Sequence, residues 1–325
     1  MDFDVERVEL PANVAIASGI IRQSWPPSFP LCREDYLDWF FSFPSPLHPL
    51  GVLVYGEGHP VGFGALVPRR VRLAGQATAY VYLLTLISVL PSWRRHGVGL
   101  LLYKKLFALS AERSIPFLAF TEQGGPGENL LRRACSVHAM PHRELASHVG
   151  YAALTHSDNP GGQIGVRMTQ DASELLTVLE RRATDNAILD EADASGLSHW
   201  KACPLPHRVA LFSHPAEGLL GGAILTRRRF AGSDGDGEKL VAERAILPGA
   251  TPEALGALRY AAGQSWADGG RFSTVLSTNL GPVPPEIIRR GGFRRLPIGS
   301  YRVFVGANDP SCPFLSADQT DLNVS

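Results

Sequence analysis

One stretch of the 325-residue chain combines residue types and spacing suited to holding an anion: Arg94-Arg95-His96-Gly97-Val98-Gly99. It stands between an almost continuously apolar run, Val81–Leu90, and a segment that places Val98, Leu101, Leu102, Leu106 and Leu109 on one helical stripe. A helix begins with unpaired N–H groups and the positive end of its dipole, which together accept an anion. Gly97 and Gly99 have no Cβ, so a phosphate can come close to the backbone there. Arg94 and Arg95 add charged donors. The expected ligand is a pyrophosphate, although a tight turn with solvated arginines has the same spacing. The stretch is not GxxxxGK[ST], and it is not G-x-G-x-x-G after a first strand, so two common phosphate-binding motifs are excluded.

The elements around it read as a mixed α/β arrangement. Val5–Leu10 suits a strand, and Asn13–Ser24 and Arg33–Phe41 suit helices. Gly51–Tyr55, Gly62–Leu73 and Thr78–Leu90 are three strands joined by short turns, which implies antiparallel pairing. Val81–Leu90 is apolar enough to be buried on both faces. Pro91 ends it, a helix follows, Pro116–Thr121 is a strand, Glu128–Ala134 a short helix, and Arg143–Leu154 a further strand. The second half repeats this order: Ile164–Met168, a helix over Ala172–Ala183, strands Val209–Ser213, Leu219–Arg228 and Leu240–Leu247, a helix Thr251–Trp266, then Phe272–Ser277, Pro285–Arg290 and Tyr301–Val305. The repeated order suggests an internal duplication. Ser157–Gly162, a polar Pro/Gly cluster, parts the halves. The expected domains are therefore 1–156 and 163–307, with 308–325 a poorly ordered tail.

The run from Ile87 to Leu100 (ISVLPSWRRHGVGL), a strand followed by Val-x-Pro and then Arg-x-x-Gly-x-Gly and a helix, resembles motif A of the GNAT (Gcn5-related) N-acetyltransferases. The order of elements is similar across residues 1–150, and the second half is similar in element order only. The resemblance implies two tandem GNAT-like domains, each a mixed, mostly antiparallel sheet flanked by helices. It also implies acetyl-CoA, or another acyl-CoA, as co-substrate. The pyrophosphate would be held by Arg94, Arg95, His96, Gly97, Val98 and Gly99. The pantetheine arm and the thioester carbonyl would meet Ile87, Ser88 and Val89, and Asn129 would hold the arm or cap its helix. After Leu240–Leu247 the second half reads Pro248-Gly249-Ala250-Thr251-Pro252-Glu253 instead. Thr251 suits an N-cap and Pro252 the first helical position. Glu253 would repel a phosphate, so this half is not expected to bind CoA in the family's manner.

Transfer of an acyl group to an amine needs a base for the amine proton and an acid for the leaving thiolate. The family often places a Tyr on the helix after the fifth strand. Residues 128–138 contain none, and Cys135 or Ser136 would be the substitutes if either is not simply packing. Some members carry a Glu on the central strand, which Val81–Leu90 lacks. Thr85 shares the sequence parity of Ile87 and Val89 and so is placed toward the ligand, with backbone bonding as its alternative. Glu122, just past the fifth strand, would act as base directly or through water, unless it is a solvated loop residue. Trp25, Trp39, Phe40 and Phe41 belong to the helices that overlie the acceptor in this family, and core packing explains them equally. His138, His142 and His148 fit no metal-ligand spacing, and no metal is expected.

Composition bounds the partners. Lys plus Arg and Asp plus Glu each number 31, so the formal net charge is zero. A nucleic-acid binder normally carries a basic excess. Apolar content is ordinary, which argues against a disordered chain. The four cysteines (Cys32, Cys135, Cys203, Cys312) form no CxxC pair and suit a reducing cytosol. No signal-like start and no apolar run near 20 residues is present, so a membrane span is not expected. The resulting expectation is a cytoplasmic N-acyltransferase, a monomer or homodimer, acting on a small-molecule amine. Alternatives are an enzyme of other reaction type, such as an acyl-CoA or acyl-carrier decarboxylase or an O-acyltransferase, or a non-catalytic CoA-binding sensor. The 33 glycines and 25 prolines exceed ordinary usage and fall at joints between elements.

Overall fold

The structure is a computed structural model of the full chain. It describes residues 2–25, 33–73, 78–156, 163–179, 187–190, 194–230, 237–247, 249, 251–264, 274–277, 280, 283–316 and 319–321. In chain order the strands and helices are β1 (Phe3–Glu9), α1 (Val14–Ser24), α2 (Glu34–Phe41), β2 (Leu50–Gly56), β3 (His59–Leu73), β4 (Thr78–Val89), α3 (Val98–Glu112), β5 (Phe117–Glu122), α4 (Pro126–Val137) and β6 (His142–Leu154). They continue as β7 (Gly165–Thr169), α5 (Leu176–Leu179), β8 (Ala187–Asp190), α6 (Ala194–His199), β9 (His207–His214), β10 (Gly218–Phe230), β11 (Gly237–Ile246), α7 (Pro252–Gln264), β12 (Thr274–Ser277), α8 (Pro285–Arg290), β13 (Arg294–Gly306) and β14 (Gln319–Asp321). This is the mixed α/β class with mostly antiparallel strands flanked by helices. The segment after Ala172 is a short 3-10 turn leading into α5, and its expected continuation to Ala183 lies outside the described residues. The short elements β8, α6 and β14 have no counterpart in the sequence reading.

The chain forms two units. The first comprises residues 1–147, 185–190 and 301–320, and the second 148–184, 191–300 and 321–325. In the first, β1, β2, β3 and β4 form an antiparallel meander, β4 pairs with β5 in parallel, and β5 pairs on its other edge with residues 301–306 of β13. Helices α3 and α4 cover one face. Val98, Leu102, Leu106 and Leu109, the stripe read from the sequence, are buried with Tyr82, Leu84, Phe117 and Ala119. Leu101 of that stripe is half-buried against the same cluster. On the other side α1 packs on β3 and β4 through Ala17, Ile20 and Ile21. Burying these apolar side chains is the main stabilisation of such a layer.

The second unit has the same strand order. β7, β9, β10 and β11 run antiparallel, β11 pairs with β12 in parallel, and β12 pairs with residues 151–154 of β6. Helix α7 buries Leu255, Ala257, Leu258, Ala261 and Ala262 against β10, β11 and β12. Each half of the sequence thus takes its last strand from the other half. This differs from a division into 1–156 and 163–307: residues 301–306 belong to the first unit. A parallel β4/β5 pair leaves the far edge of β5 with unpaired N–H and C=O groups, and residues 301–306 of β13 satisfy them. The linker expected at Ser157–Gly162 lies outside the described residues. Much of the expected tail is ordered by contacts: Phe314 is buried, Arg143 donates to the Leu315 carbonyl at 3.1 Å, and β14 pairs with β8. Residues 322–325 lie outside the described part.

Charged side chains tie β13 in place. Glu128, near the start of α4 and only 6% exposed, accepts from the Gly124 N–H at 2.8 Å and from Arg132 Nε at 2.8 Å. Arg302 on β13 lies 3.5 Å from Glu128 and donates to Glu144 at 2.6 Å, and Arg132 also donates to Glu144 at 2.7 Å. Burial alone would raise the Glu128 carboxyl's pKa, but the Gly124 N–H and the two guanidiniums hold it below its ordinary value. The unfolded chain therefore takes up this proton first. The stabilisation is complete above about pH 4.5 and drains away as the pH falls below it. Arg302→Met should cost about 1–3 kcal/mol in denaturant titration at pH 7. Glu128→Gln should flatten the loss of stability on acidification, and an unchanged acid limb would contradict the role given to this carboxyl.

Candidate functional site

The site is built where β4 and β5 stop pairing. Their parallel ladder runs only from Tyr82–Leu84 to Phe117–Ala119. Beyond it β4 continues to Val89 and β5 to Glu122 with no further pairing between them. The backbone edge of β4 from Thr85 onward is thereby left open toward β5. On its other edge β4 stays bonded to β3, but with a bulge: Ala65 pairs with Thr85 and Phe63 with Ser88, so β4 carries one residue too many. The surplus falls at Leu86, which has φ +58, in the left-handed region. A non-glycine residue there costs on the order of 1–2 kcal/mol, a strain kept only where surrounding pairing enforces it.

The bulge reverses the alternation of side chains, and this corrects the sequence reading of Thr85. Register partners share a face, so Leu83, Thr85 and Ser88 lie with Val67, Ala65 and Phe63. Ile87 lies on the opposite face, where a Cβ on Gly64 would meet its Cδ1 at 2.7 Å, and both Ile87 and Val89 pack against the α3 core. Thr85 therefore does not share a face with Ile87 and Val89. It stands with Ser88 on the α1 side. The Ser88 hydroxyl is already engaged: it donates to the Leu86 carbonyl at 3.0 Å and accepts from the Trp25 indole N–H at 2.8 Å.

After β4, a 3-10 turn at Pro91–Trp93 leads into the loop read as anion-binding. Arg94, Arg95, His96 and Gly97 are exposed, Val98 is buried, and α3 starts at Val98 with Gly97 as its N-cap. Arg95 has φ +71 and Gly97 φ +86. Among the described residues, no backbone carbonyl accepts from the N–H groups of residues 95–99. Two left-handed residues in a row of such donors form a concavity of the kind that takes an anion. Arg94 is partly committed. Its Nε donates to the Val89 carbonyl at 3.3 Å and its Nη2 to the Ser24 carbonyl at 3.0 Å. His96 Nδ1 lies 3.1 Å from the Arg94 carbonyl, which shapes the loop.

The two glycines have different duties. A Cβ on Gly97 would meet nothing within 4 Å, so the left-handed backbone is what demands glycine there. Gly99 sits inside α3, and a Cβ on it would come within 2.7 Å of Leu130 on α4. Its smallness lets α3 and α4 approach, which is a packing role the sequence reading did not assign.

The candidates past β5 separate. Glu122 is exposed at the end of β5, on the side where the strands have parted, and its backbone carbonyl accepts from the Gly125 N–H at 3.0 Å. Asn129 is exposed on the first turn and a half of α4. The cap position of that helix is Gly125, so Asn129 is not its cap. Cys135 is 1% exposed within the α3/α4 core, and burial pushes its thiol up to about 12. It packs, and so is no substitute acid. Ser136 is exposed. Trp39, Phe40 and Phe41 are core residues, whereas Trp25 is 37% exposed. Missed in the sequence was the Glu128, Arg132, Glu144, Arg302 network. The spacing of Glu128 and Arg132 at i, i+4 hinted at one pair. Nothing local pointed to Arg302. No group of three or more metal-ligating side chains occurs among the described residues.

The second unit repeats the parallel strand pair and lacks the loop. Among the described residues β11 pairs with β12 over Leu240–Ala242 and Val275–Ser277, and a bulge opposite Ile224 and Leu225 makes Glu243 the surplus residue. Glu243 is 3% exposed, lies 2.6 Å from Arg228 Nε, and accepts from the Thr226 hydroxyl. That pairing neutralises it in place. Thr251 Oγ1 accepts from the Ala254 N–H at 3.2 Å, and Pro252 opens α7, as expected of an ordinary N-cap.

Substitutions should separate the duties of the loop glycines. Gly97→Glu places a carboxylate beside the free N–H groups and should abolish binding of inorganic pyrophosphate in calorimetric titration, with only about 1 kcal/mol lost in stability. Gly99→Ala must displace Leu130 and should lower stability by about 1–3 kcal/mol. Equal effects of both on unfolding would refute the assignment.

Residues 17–133 match the model of the acetyltransferase (GNAT) family. No curated protein matches the sequence. A tandem GNAT protein from the clavulanic acid biosynthesis pathway, in a form without AcCoA, has a similar structure, with a TM-score of 0.64 and 15% identity over 94% of this chain and 98% of that one. The N-myristoyltransferase of Saccharomyces cerevisiae with bound myristoyl-CoA gives 0.62 and 9%, over 93% and 82%. A GCN5-related N-acetyltransferase from Anabaena variabilis gives 0.58 and 14%, over 92% and 72%. At these identities the likeness is one of fold. Residues 17–133 thus match the GNAT acetyltransferase family, and the chain as a whole shares the fold of a tandem GNAT protein.

Proposed function

We propose that the chain is an acyl-CoA-dependent N-acyltransferase whose first unit takes acetyl-CoA and passes the acetyl group to a small-molecule amine. One observation carries this reading: a row of unbonded N–H groups from Arg95 to Gly99, with two left-handed residues, at the start of α3 and directly beyond the parting of β4 and β5. That row suits a pyrophosphate, with Arg95 and the remaining donors of Arg94 adding charge. The open edge of β4 around Ile87 to Val89 suits an extended amide-bearing arm, which would pair with it as a strand does.

In this reading the protein mostly positions and polarises. An N–H of the open β4 edge donates to the carbonyl oxygen of the thioester. Glu122 takes the proton from the amine, directly or through one water, as the C–N bond forms and the C–S bond breaks. The thiolate leaves and is protonated to the free thiol. Thr85, on the α1 face, and Asn129, on α4, would orient the acceptor and the arm. No Tyr on α4 stands ready as the acid. That absence, with Cys135 buried in the core, favours one second reading, a non-catalytic sensor of acyl-CoA.

Calorimetry with acetyl-CoA tests both readings, and no binding at millimolar ligand would end them. Thiol release on a panel of amines separates them: the transferase releases thiol with at least one amine, and the sensor with none. Glu122→Gln should lower kcat by roughly 10²–10⁴-fold with little change in the affinity for acetyl-CoA. Arg95→Ala should weaken that affinity about tenfold with kcat kept.

A further inference from the structure

The second unit holds a cavity of about 670 Å³ outside the site described above. It is bounded by the end of β7 at Thr169, the turn at Asp171, the 3-10 turn at Lys201, and the stretch from Cys203 to His207 that enters β9. Its size falls within the roughly 300–1,000 Å³ of small-molecule sites. Thr169 pairs with Val209, and His207 pairs with Thr226, which stands against Val241 in the first half of β11. Helix α7 follows the other end of β11, so the cavity and the counterpart of the anion loop lie toward opposite ends of the same strands. One wall is rigid and apolar. Pro204 and Pro206 fix their own backbone angles, and Leu205 between them is buried. The Leu205 carbonyl faces His207 Nδ1 at 3.1 Å, and the Pro206 carbonyl accepts from the Arg227 N–H at 2.9 Å, which ties this segment down.

The polar side is rich in donors and short of acceptors. The Lys201 ammonium has several N–H groups, and Asp171 Oδ2 meets it at 3.2 Å without using them all. Thr169 Oγ1 accepts from the Asp171 N–H at 3.1 Å, and among the described residues no acceptor takes its own O–H proton. Asp171 Oδ1 is occupied, accepting from the Ser173 N–H at 3.0 Å and the Ser173 hydroxyl at 2.6 Å. A carbonyl only accepts, so His207 Nδ1 carries its ring proton and Nε2 is the acceptor left on that ring. A ligand here must bring acceptors of its own, and an ammonium favours them on an anion. The wall of Pro204, Leu205 and Pro206 suits an apolar body. We propose that this cavity binds a small carboxylic acid with an apolar body, its carboxylate on Lys201 and Thr169 and its body against that wall. The inference stands apart from the acyl-CoA reading and gives the second unit a ligand of its own.

The test titrates the full chain with phenylacetate and with its neutral counterpart phenylacetamide, followed by saturation-transfer NMR of the probe. A probe this small at ordinary ligand efficiency binds at about 1 mM. Phenylacetate should bind about five- to tenfold more tightly than the amide. Lys201→Gln keeps a donor without the charge and should erase that preference, whereas Lys201→Arg should keep most of it. Asp171→Asn retains the acceptor for Ser173 and frees the ammonium, so phenylacetate should bind several-fold more tightly. Lys201 is exposed, and its variants should unfold at nearly the wild-type temperature. Inorganic pyrophosphate should not displace the probe, since its expected place is the loop of the first unit. Equal binding of acid and amide, a preference unmoved in Lys201→Gln, displacement by pyrophosphate, or no binding of either probe at about ten times the expected constant each overturns the proposal. None of these results bears on whether the first unit takes acetyl-CoA.

Discussion

The first unit depends on a backbone obligation that is deliberately left unmet. Strands in a sheet satisfy their N–H and C=O groups through their neighbours, and a buried group without a partner costs stability. β4 and β5 meet that obligation over three residues each and then separate. The rest of the unit follows from holding them apart. The surplus residue Leu86 bends β4 on its β3 side, at the expense of a left-handed backbone. On the far side residues 301–306 bond along β5 from Phe117 to Glu122. Helix α3 starts where β4 ends, so its free N–H groups face the same opening.

The two units have the same strand order, a parallel pair at the same place in it and a bulge on the same strand. They differ in electrostatics at the following helix. α3 begins with arginines, a glycine in the left-handed region and free donors, whereas α7 begins with a threonine cap and an acid. Both units also bury a glutamate, and each is met by arginine: Glu128 by Arg132 and Arg302, Glu243 by Arg228. A paired buried carboxylate holds strands and helices in register, but it is poorly placed to take a proton from a substrate. The exposed Glu122 is the better candidate for that reason.

Most of the first unit was legible from periodicity. The strand boundaries, the α3 stripe and the loop between them depend on local sequence, and the structure has them within a few residues. The orientation of Thr85 was not legible, because a bulge at a leucine leaves no trace in composition: counting alternate residues across Leu86 assigns the wrong face. Gly99 looked like a partner of Gly97 in the loop, yet its neighbour is Leu130, thirty-one positions away. The exchange of last strands was hidden for a similar reason. Tyr301–Val305 reads as a strand wherever it pairs, and only β5's open edge decides the partner. In the second half the short elements near 187–199 were invisible because they carry too few residues for either period to register.

The borrowed last strand has a consequence for how the protein comes into being. A ribosome delivers residue 117 long before residue 301, so the edge of β5 emerges early and must wait for most of the remaining chain before it is covered. During that interval an unpaired strand edge invites pairing with another nascent copy. It also makes each half of the sequence structurally dependent on the other. A break at mid-chain would leave the loop on a sheet with its sixth strand missing, so the half without the loop carries the strand that the other half needs.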